Sequence, residues 1–179
     1  MSLRLVTGGV RSGKSRFAES LAGSLGGRVL VVATGVPGDE EMKRRIEKHR
    51  RRRPAGWNVL EEPLRLAERL QATPPHDVVL VDGLSGWVAN RLLDSEEKAL
   101  RQPEVFEAEI IEETRKFLDC LAGCRHGILV TDEAGLGGVA VSPLGRRFQD
   151  VLGLVNQEAA RRADEVWFVV SGIPWRVKG

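Results

Sequence analysis

The clearest chemical signal in the sequence is a glycine-rich segment that could bind phosphate. It matches the pattern G-x-x-x-x-G-K-[ST] in full, as Gly8, Gly9, Val10, Arg11, Ser12, Gly13, Lys14 and Ser15. Glycines let backbone N–H groups wrap closely around a phosphate. Lys14 would reach the β- and γ-phosphates, and Ser15 Oγ would ligate Mg²⁺. The segment therefore predicts nucleotide binding rather than a simple turn between a strand and a helix.

Two apolar runs end in acidic residues that could complete the metal site. Asp82 follows Val78–Val81, and Asp132 follows Ile128–Thr131. Both carboxylates would lie at the carboxyl ends of parallel strands, where open α/β sheets bind ligands. Either acid could instead end its strand or cap the next helix. We favour Asp82 as the second Mg²⁺ ligand because its run is the plainer apolar strand, and Asp132 is the alternative.

A dense cluster of positive charge occupies residues 43–53, where eight of eleven residues are Lys or Arg. Such a run is usually a solvated helix face, but it could also bind nucleic acid or clamp a polyphosphate through forked arginine hydrogen bonds. No aromatic residue in the run could stack on a base. Helical spacing places Met42, Ile46, His49 and Arg53 on one face, which we expect to point toward the protein body.

His49 is the candidate nucleophile of this cluster. A lone histidine on an inward face is more often a packed residue than a catalyst. A packed histidine does not need surrounding arginines, however, and nearby positive charge is expected to lower its pKa and keep the imidazole neutral. A neutral imidazole can attack phosphorus while the arginines bind the anion.

The remaining histidines and the two cysteines carry weaker signals. His76 is predicted to be a loop residue beside Pro74 and Pro75. Cys120, Cys124 and His126 are close in sequence, but a structural zinc site needs four ligands. Packing at a helix end is the favoured interpretation, and two cysteines exclude a disulfide scaffold.

Alternating strands and helices must position these residues. Continuous β-branched runs predict strands buried on both faces, and 3.6-residue spacing predicts helices. Strands separated by helices imply parallel pairing with right-handed crossovers. The fold class is therefore α/β, a mostly parallel sheet with helices on both faces. The predicted strands are 3–7, 28–33, 57–60, 77–81, 127–131 and 165–170, and the predicted helices are 14–25, 39–52, 64–71, 84–93, 104–121 and 144–163.

Length and composition bound the class of protein. The 179 residues fit a single domain spanning 1–179, and 42% hydrophobic residues are too many for a disordered chain. No run approaches about 18 uninterrupted apolar residues. A short apolar run and then glycines follow Met1, so we expect no signal peptide and a cytoplasmic protein. The net charge of +2 does not by itself indicate a nucleic-acid binder.

Several segments together resemble one family. They are T-G-G-x-R-S-G-K-S-R near the N-terminus, V-A-T-G at residues 32–35, R-I-x-x-H-x-x-x-R-P-x-x-W at 45–57, and V-T-D-E-A-G-L-G at 130–137. This combination resembles the bifunctional adenosylcobinamide kinase / adenosylcobinamide-phosphate guanylyltransferase family of cobalamin biosynthesis. The resemblance covers essentially the whole chain. It implies a P-loop NTPase fold with a RecA-like sheet.

The resemblance also implies two reactions and a set of site residues. A nucleoside triphosphate, ATP or GTP, phosphorylates the aminopropanol hydroxyl of adenosylcobinamide, and GTP then transfers GMP to that phosphate through a histidine–GMP intermediate. The family histidine falls on His49. The resemblance also implies a bound Mg²⁺ and a homo-oligomer, in which exposed Trp87 and Trp175 could lie at the interface. It implies neither a nucleic acid nor a membrane as a partner. The implied nucleotide-binding residues are Gly8–Ser15, Ala33, Thr34, Gly35, Arg50, Arg51, Arg52, Arg53, Glu61 and Asp82.

The chain departs from the family pattern at four positions. Gly35 stands where members often have Ser, Asp82 where some have Glu, Lys48 where a second His can occur, and Ala140 where Pro is common. None of these removes a proposed catalytic group.

Two other functions remain open: an ordinary P-loop small-molecule kinase with a structural His49, and a RecA-like ATPase that binds nucleic acid through the basic helix.

Overall fold

The computed structural model describes residues 2–38 and 40–179, in which strands and helices alternate along the chain. A short 3₁₀ helix, Ala134–Gly137, precedes the longest helix. The strands are β1 (Ser2–Gly8), β2 (Val29–Ala33), β3 (Asn58–Glu61), β4 (Val78–Asp82), β5 (His126–Val130), β6 (Glu165–Val170) and β7 (Ile173–Lys178). The helices are α1 (Lys14–Leu25), α2 (Glu40–Arg52), α3 (Leu66–Gln71), α4 (Leu84–Asp94), α5 (Glu96–Arg101), α6 (Pro103–Leu121) and α7 (Pro143–Arg162).

The seven strands form one sheet in the order β3-β2-β4-β5-β1-β6-β7. Every neighbouring pair is parallel except β6 and β7, which are antiparallel. Strand β1, which leads into the glycine-rich segment, pairs with β5 on one side and β6 on the other. This order confirms the predicted α/β class and the RecA-like arrangement. It brings the ends of β1, β2, β4 and β5 to one edge of the sheet.

Both faces of the sheet are covered, because alternate side chains of each strand enter different cores. Leu3 and Leu5 of β1 join the larger core with helices α4 to α7, whereas Val6 joins a smaller core with α1. Trp87, Phe106 and Phe117 are the fully buried aromatic residues of the larger core, and the ring centroids of Trp87 and Phe117 lie 5.9 Å apart in an edge-on arrangement. Burial of both faces explains why the strands read as continuous apolar runs.

Some predictions differ from the structure at particular residues. Trp87 was predicted to be exposed, but it is 1% exposed because its helix places it in the core; Trp175 is 66% exposed. Strand β7 and helix α5 were not predicted. Asp39, the predicted start of the second helix, lies outside the described residues. In the described part of the chain, no helix is both long enough and apolar enough to cross a membrane.

The turn between β6 and β7 supports the glycine-rich segment from the far end of the sequence. The Gly172 amide donates a hydrogen bond to the Ser12 carbonyl at 2.7 Å. Gly13 has a φ of 95°, and a Cβ there would lie 3.2 Å from the Gly172 Cα. Glycine is therefore required at position 13 both for its backbone conformation and for this close approach.

Candidate active site

The segment Gly8–Ser15, called the phosphate loop below, joins β1 to α1 and has positive φ angles at Arg11 and Gly13. A Cβ on Gly8 would lie 2.5 Å from the Val169 carbonyl oxygen, so only glycine fits this position. Ser12 Oγ is buried and has no hydrogen-bond partner among the described residues. A buried hydroxyl without a partner is costly unless a ligand satisfies it. The loop therefore has a buried hydroxyl donor that a phosphate could use.

Lys14 and Asp132 form an ion pair at the mouth of this loop. Asp132 also accepts a hydrogen bond from Ser85 Oγ. The neighbouring Glu133 accepts one from Thr7 Oγ1 at 2.9 Å. The alternative metal ligand Asp132 is thus bound to the lysine that is predicted to hold phosphate.

Asp82 lies at the end of β4, next to the start of α1. Ser15 Oγ donates to Asp82 Oδ1 at 3.3 Å, and Arg53 Nη2 lies 3.1 Å from Oδ2. Burial acts to raise the pKa of Asp82, but the hydrogen bond and charge of His49, with Arg53 and Ser15, hold it below its usual value. An ionised carboxylate beside a hydroxyl group offers two oxygen ligands, which are the kind of ligand that Mg²⁺ prefers.

His49 points inward from α2, as predicted, but its charge state is not the predicted one. Its Nδ1 lies 3.4 Å from Asp82 Oδ2 and 3.7 Å from Glu19 Oε1. These two carboxylates raise the pKa of His49 to about 9, Asp82 contributing most, against the opposing effects of burial and Arg52. The expectation of a neutral imidazole was wrong for the free protein, because two acids from other elements outweigh the arginines.

Glu19 is a site residue that the sequence analysis missed. It lies on α1 one turn after Ser15 and pairs with Arg52 through both carboxylate oxygens, at 2.5 and 2.9 Å. Burial acts to raise its pKa, but His49 and Arg52 lower it below the usual value. The spacing of four residues from Ser15 was the available signal, since it places both side chains on one helix face.

Glu19, His49 and Asp82 each offer a ligand atom within 4.8 Å of the others. No second group of this kind occurs among residues 2–38 and 40–179. Cys120 Sγ instead accepts a hydrogen bond from Gln71 at 3.4 Å, which agrees with packing at a helix end. His76 lies in a loop, within hydrogen-bond distance of Asn58.

The four consecutive arginines have different surroundings. Arg53 is buried, and its Nε has no hydrogen-bond partner in the described part of the chain. Arg52 pairs with Glu19, as noted above, and Arg50 pairs with Glu61. Arg51 is largely exposed and pairs with Glu47 at 2.9 Å. Each arginine therefore already has a carboxylate nearby, which reduces the positive charge available to a nucleic-acid backbone.

Helix α2 borders both the cluster of Glu19, His49 and Asp82 and a cavity of about 620 Å³. Residues 49, 52 and 53 contact Glu19 or Asp82, whereas residues 43, 44, 46, 47, 48, 50 and 51 line the cavity. Gly35 and Glu61 complete the wall, and Ile46 packs 3.7 Å from where a Gly35 Cβ would lie. Four predicted nucleotide-binding residues, Gly35, Arg50, Arg51 and Glu61, thus share one cavity. The side chain of Met42, predicted for the inward face, lies outside the described residues.

Thr34 joins the ends of β2 and β4. Its Oγ1 donates to the Gly83 carbonyl at 2.7 Å and accepts from the Gly83 amide at 3.2 Å. Asn90 Nδ2 donates to the Thr34 carbonyl at 2.8 Å. The Thr34 hydroxyl is buried in these contacts. Thr34 therefore positions the segment Ala33–Gly35 through its own fixed hydrogen bonds.

Comparison with known proteins identifies the family. The sequence matches the family described as cobinamide kinase / cobinamide phosphate guanyltransferase over residues 4–177. It is 42% identical over 177 residues to the bifunctional adenosylcobalamin biosynthesis protein CobP of Pseudomonas aeruginosa, covering 98% of this chain and 96% of the relative. It is 40% identical over 181 residues to the bifunctional adenosylcobalamin biosynthesis protein CobU of Escherichia coli K12, covering 97% and 98%. With a phosphate loop, an inward histidine and matches of this length, the chain belongs to the cobinamide kinase / cobinamide phosphate guanyltransferase family.

Proposed function

We propose that this enzyme phosphorylates the aminopropanol hydroxyl of adenosylcobinamide and then transfers GMP from GTP to that phosphate through a covalent intermediate at His49. The observation that carries the proposal is the position of His49, which lies within 4 Å of two carboxylates beside the phosphate loop. An ordinary kinase does not need a histidine there. Both reactions are proposed to use the single domain 1–179.

Guanylyl transfer through His49 divides one difficult displacement into two. A ring nitrogen attacks the α-phosphorus, a P–N bond forms, and pyrophosphate leaves; an oxygen of adenosylcobinamide phosphate then attacks the same phosphorus and frees the histidine. The free protein holds His49 as imidazolium, with a pKa of about 9. Its Nε2 must therefore lose a proton before attack, so the proposed reaction is favoured by alkaline pH.

The phosphate loop and the buried arginine are proposed to bind the triphosphate. Ser12 Oγ and Arg53 Nε are buried donors without partners among the described residues, and both would be satisfied by phosphate oxygens. Lys14 would exchange its pair with Asp132 for a phosphate. Arg52 would stabilise the negative charge of the departing pyrophosphate.

The cavity that α2 borders is proposed to take the nucleoside, since its wall residue Glu61 and the site residue Asp82 both pair with Ala33 and so lie at one edge of the sheet. Its volume of about 620 Å³ lies within the usual range for small-molecule sites. Glu61 would supply a carboxylate acceptor for N–H groups of guanine, in exchange for its pair with Arg50. Gly35 leaves space at the wall where a larger side chain would narrow the cavity.

Mg²⁺ is proposed to bind at Ser15 and Asp82, where it would neutralise phosphate charge. Asp82 is ionised and Ser15 already lies beside it, so this chain supplies two prepared oxygen ligands.

A homo-oligomer also remains a proposal. It is supported by the alternate exposed residues Ile173, Trp175 and Val177 on edge strand β7, and a monomeric mass by light scattering would contradict it.

The test is covalent labelling with GTP carrying ³²P at the α-phosphate, in the presence of Mg²⁺ and without corrinoid. We expect acid-labile, base-stable label on the wild type and none on His49→Ala. The control is His126→Ala, which removes a histidine at the start of β5, away from the cluster. Absence of label on the wild type, with nucleotide binding intact, would contradict the histidine intermediate and favour a plain kinase.

A further inference from the structure

Glu19 holds a position in the site that nucleotide binding alone does not explain. It is a buried glutamate on α1, and Arg52 grips both of its carboxylate oxygens. Its Oε1 also lies 3.7 Å from His49 Nδ1. A carboxylate fixed in this way and aimed at one nitrogen of an imidazole can hold the ring in a single orientation.

Three groups surround His49 Nδ1. Asp82 Oδ2 lies at 3.4 Å, Glu19 Oε1 at 3.7 Å, and Arg52 Nη2 at 3.4 Å. Both carboxylates can only accept a hydrogen bond, so they favour a proton on Nδ1, whereas Arg52 can only donate and favours a lone pair there. Arg52 Nη2 already donates to Glu19 Oε1 at 2.9 Å, so the two acceptors outweigh it. The other ring nitrogen, Nε2, lies across the ring from Nδ1 and therefore points away from both acids.

The two carboxylates are not equivalent. Asp82 accepts from Ser15 and pairs with Arg53, and with Ser15 it forms the pair proposed for Mg²⁺. Glu19 has no contact with Ser15 of this kind and is fixed by Arg52 instead. If Asp82 bound a metal ion, Glu19 would be the carboxylate left to accept a hydrogen bond from Nδ1–H.

We infer that Glu19 is a positioning residue for guanylyl transfer, which holds Nδ1–H of His49 so that Nε2 attacks the α-phosphorus of GTP. The inference rests on the proposed function. The Nε2 lone pair forms the P–N bond, and the bond from the α-phosphorus to the bridging oxygen breaks, with its electron pair leaving on pyrophosphate. Nδ1 keeps its proton, and Glu19 balances the positive charge that the substituted ring carries.

The test begins with the wild-type enzyme and identifies the substituted nitrogen. The GMP adduct is formed with Mg²⁺ and GTP, the protein is digested at alkaline pH, and the labelled peptide is examined by ³¹P and ¹⁵N NMR. We expect GMP on Nε2. GMP on Nδ1 would overturn the inference, because Glu19 could not then hold a proton at that atom. This result does not depend on any variant folding.

The second part measures the rate of adduct formation at saturating GTP in Glu19→Gln, Glu19→Asp and Glu158→Gln. Glu158 is the matched control, since it is a similarly buried glutamate that Arg161 grips through both oxygens, on α7. We expect Glu19→Gln to lower the rate on the order of 10- to 100-fold. We expect Glu19→Asp to recover part of it and Glu158→Gln to keep the wild-type rate.

Each further outcome has one meaning. Equal rates in wild type and Glu19→Gln would overturn the inference and leave the proposed function standing. An equal loss in Glu158→Gln would also overturn it, since any buried glutamate would then have the same effect. No adduct on the wild type, with GTP still bound, would instead contradict the proposed function itself.

Discussion

The charge state of His49 gives the sharpest prediction about the free enzyme. Asp82 and Glu19 raise its pKa to about 9, from 6.5 for an unperturbed histidine. At pH 7.5 about 3% of the His49 side chains would then be neutral, against roughly 90% for an unperturbed histidine. Adduct formation at limiting GTP should therefore increase about tenfold per pH unit up to pH 9.

The assay is an NMR titration of the imidazole C–H signals in protein carrying labelled histidine. The chain has three histidines, so assignment by substitution is direct. We expect a midpoint near 9 for His49, and a midpoint below the usual value for His126, whose pKa is lowered by burial and by nearby Arg4 and Arg125. Asp82→Asn should move the His49 midpoint downward. A wild-type midpoint of 6.5 or below would refute the reasoning.

The same shift links stability to pH. The folded-state pKa of His49 lies above the unfolded value, so the ion pairs with Asp82 and Glu19 stabilise the folded protein fully below pH 6.5. This contribution is lost as the pH rises through about 9. Urea unfolding of wild type and His49→Ala at pH 6 and pH 9.5 would measure it as a difference that shrinks with pH.

Three further predictions concern the loop and the core. Lys14→Ala should lower phosphoryl transfer at least about 100-fold, measured by product formation from adenosylcobinamide, because a cation at the transferred phosphate is lost. Gly8→Ala should reduce the free energy of unfolding by about 1–3 kcal/mol, because the added Cβ would lie 2.5 Å from the Val169 carbonyl oxygen. Gly9→Ala should leave it unchanged, because no atom lies within 4 Å of the added Cβ. Trp87→Ala should lower the free energy of unfolding, measured in urea, by about 3–5 kcal/mol, and Trp175→Ala, at an exposed position, by less than about 1 kcal/mol. Equal losses in the two tryptophan variants, or in the two glycine variants, would contradict the packing described.

The parallel part of the sheet was predictable because both of its faces are buried. The runs that became β2, β4 and β5 are continuous apolar segments, so their positions were predicted to within about a residue. Strand β7 was not predicted, because most of its residues are exposed and Pro174 interrupts it. Helix α5 is six residues long, which is too short for helical periodicity to be visible.

Candidate site residues could be predicted where they belong to one local sequence motif. The phosphate loop and its lysine follow from a single segment, and Asp82 follows from a strand end. The charge of His49 could not be predicted in this way, because its partners Glu19 and Asp82 come from α1 and β4, while the local sequence consists mainly of lysine and arginine. The same holds for Arg53, whose burial depends on contacts with those two elements.

The hydrogen bond from Gly172 to Ser12 has a consequence for how this protein is made. During synthesis the phosphate loop leaves the ribosome early, yet β1 gains its neighbours β5 and β6 much later. The nascent loop therefore lacks both its flanking strands and the turn that holds its backbone. If nucleotide binds at this loop as proposed, it is expected to bind only after the β6–β7 turn has formed. Added nucleotide should then stabilise the folded protein without accelerating the early steps of folding.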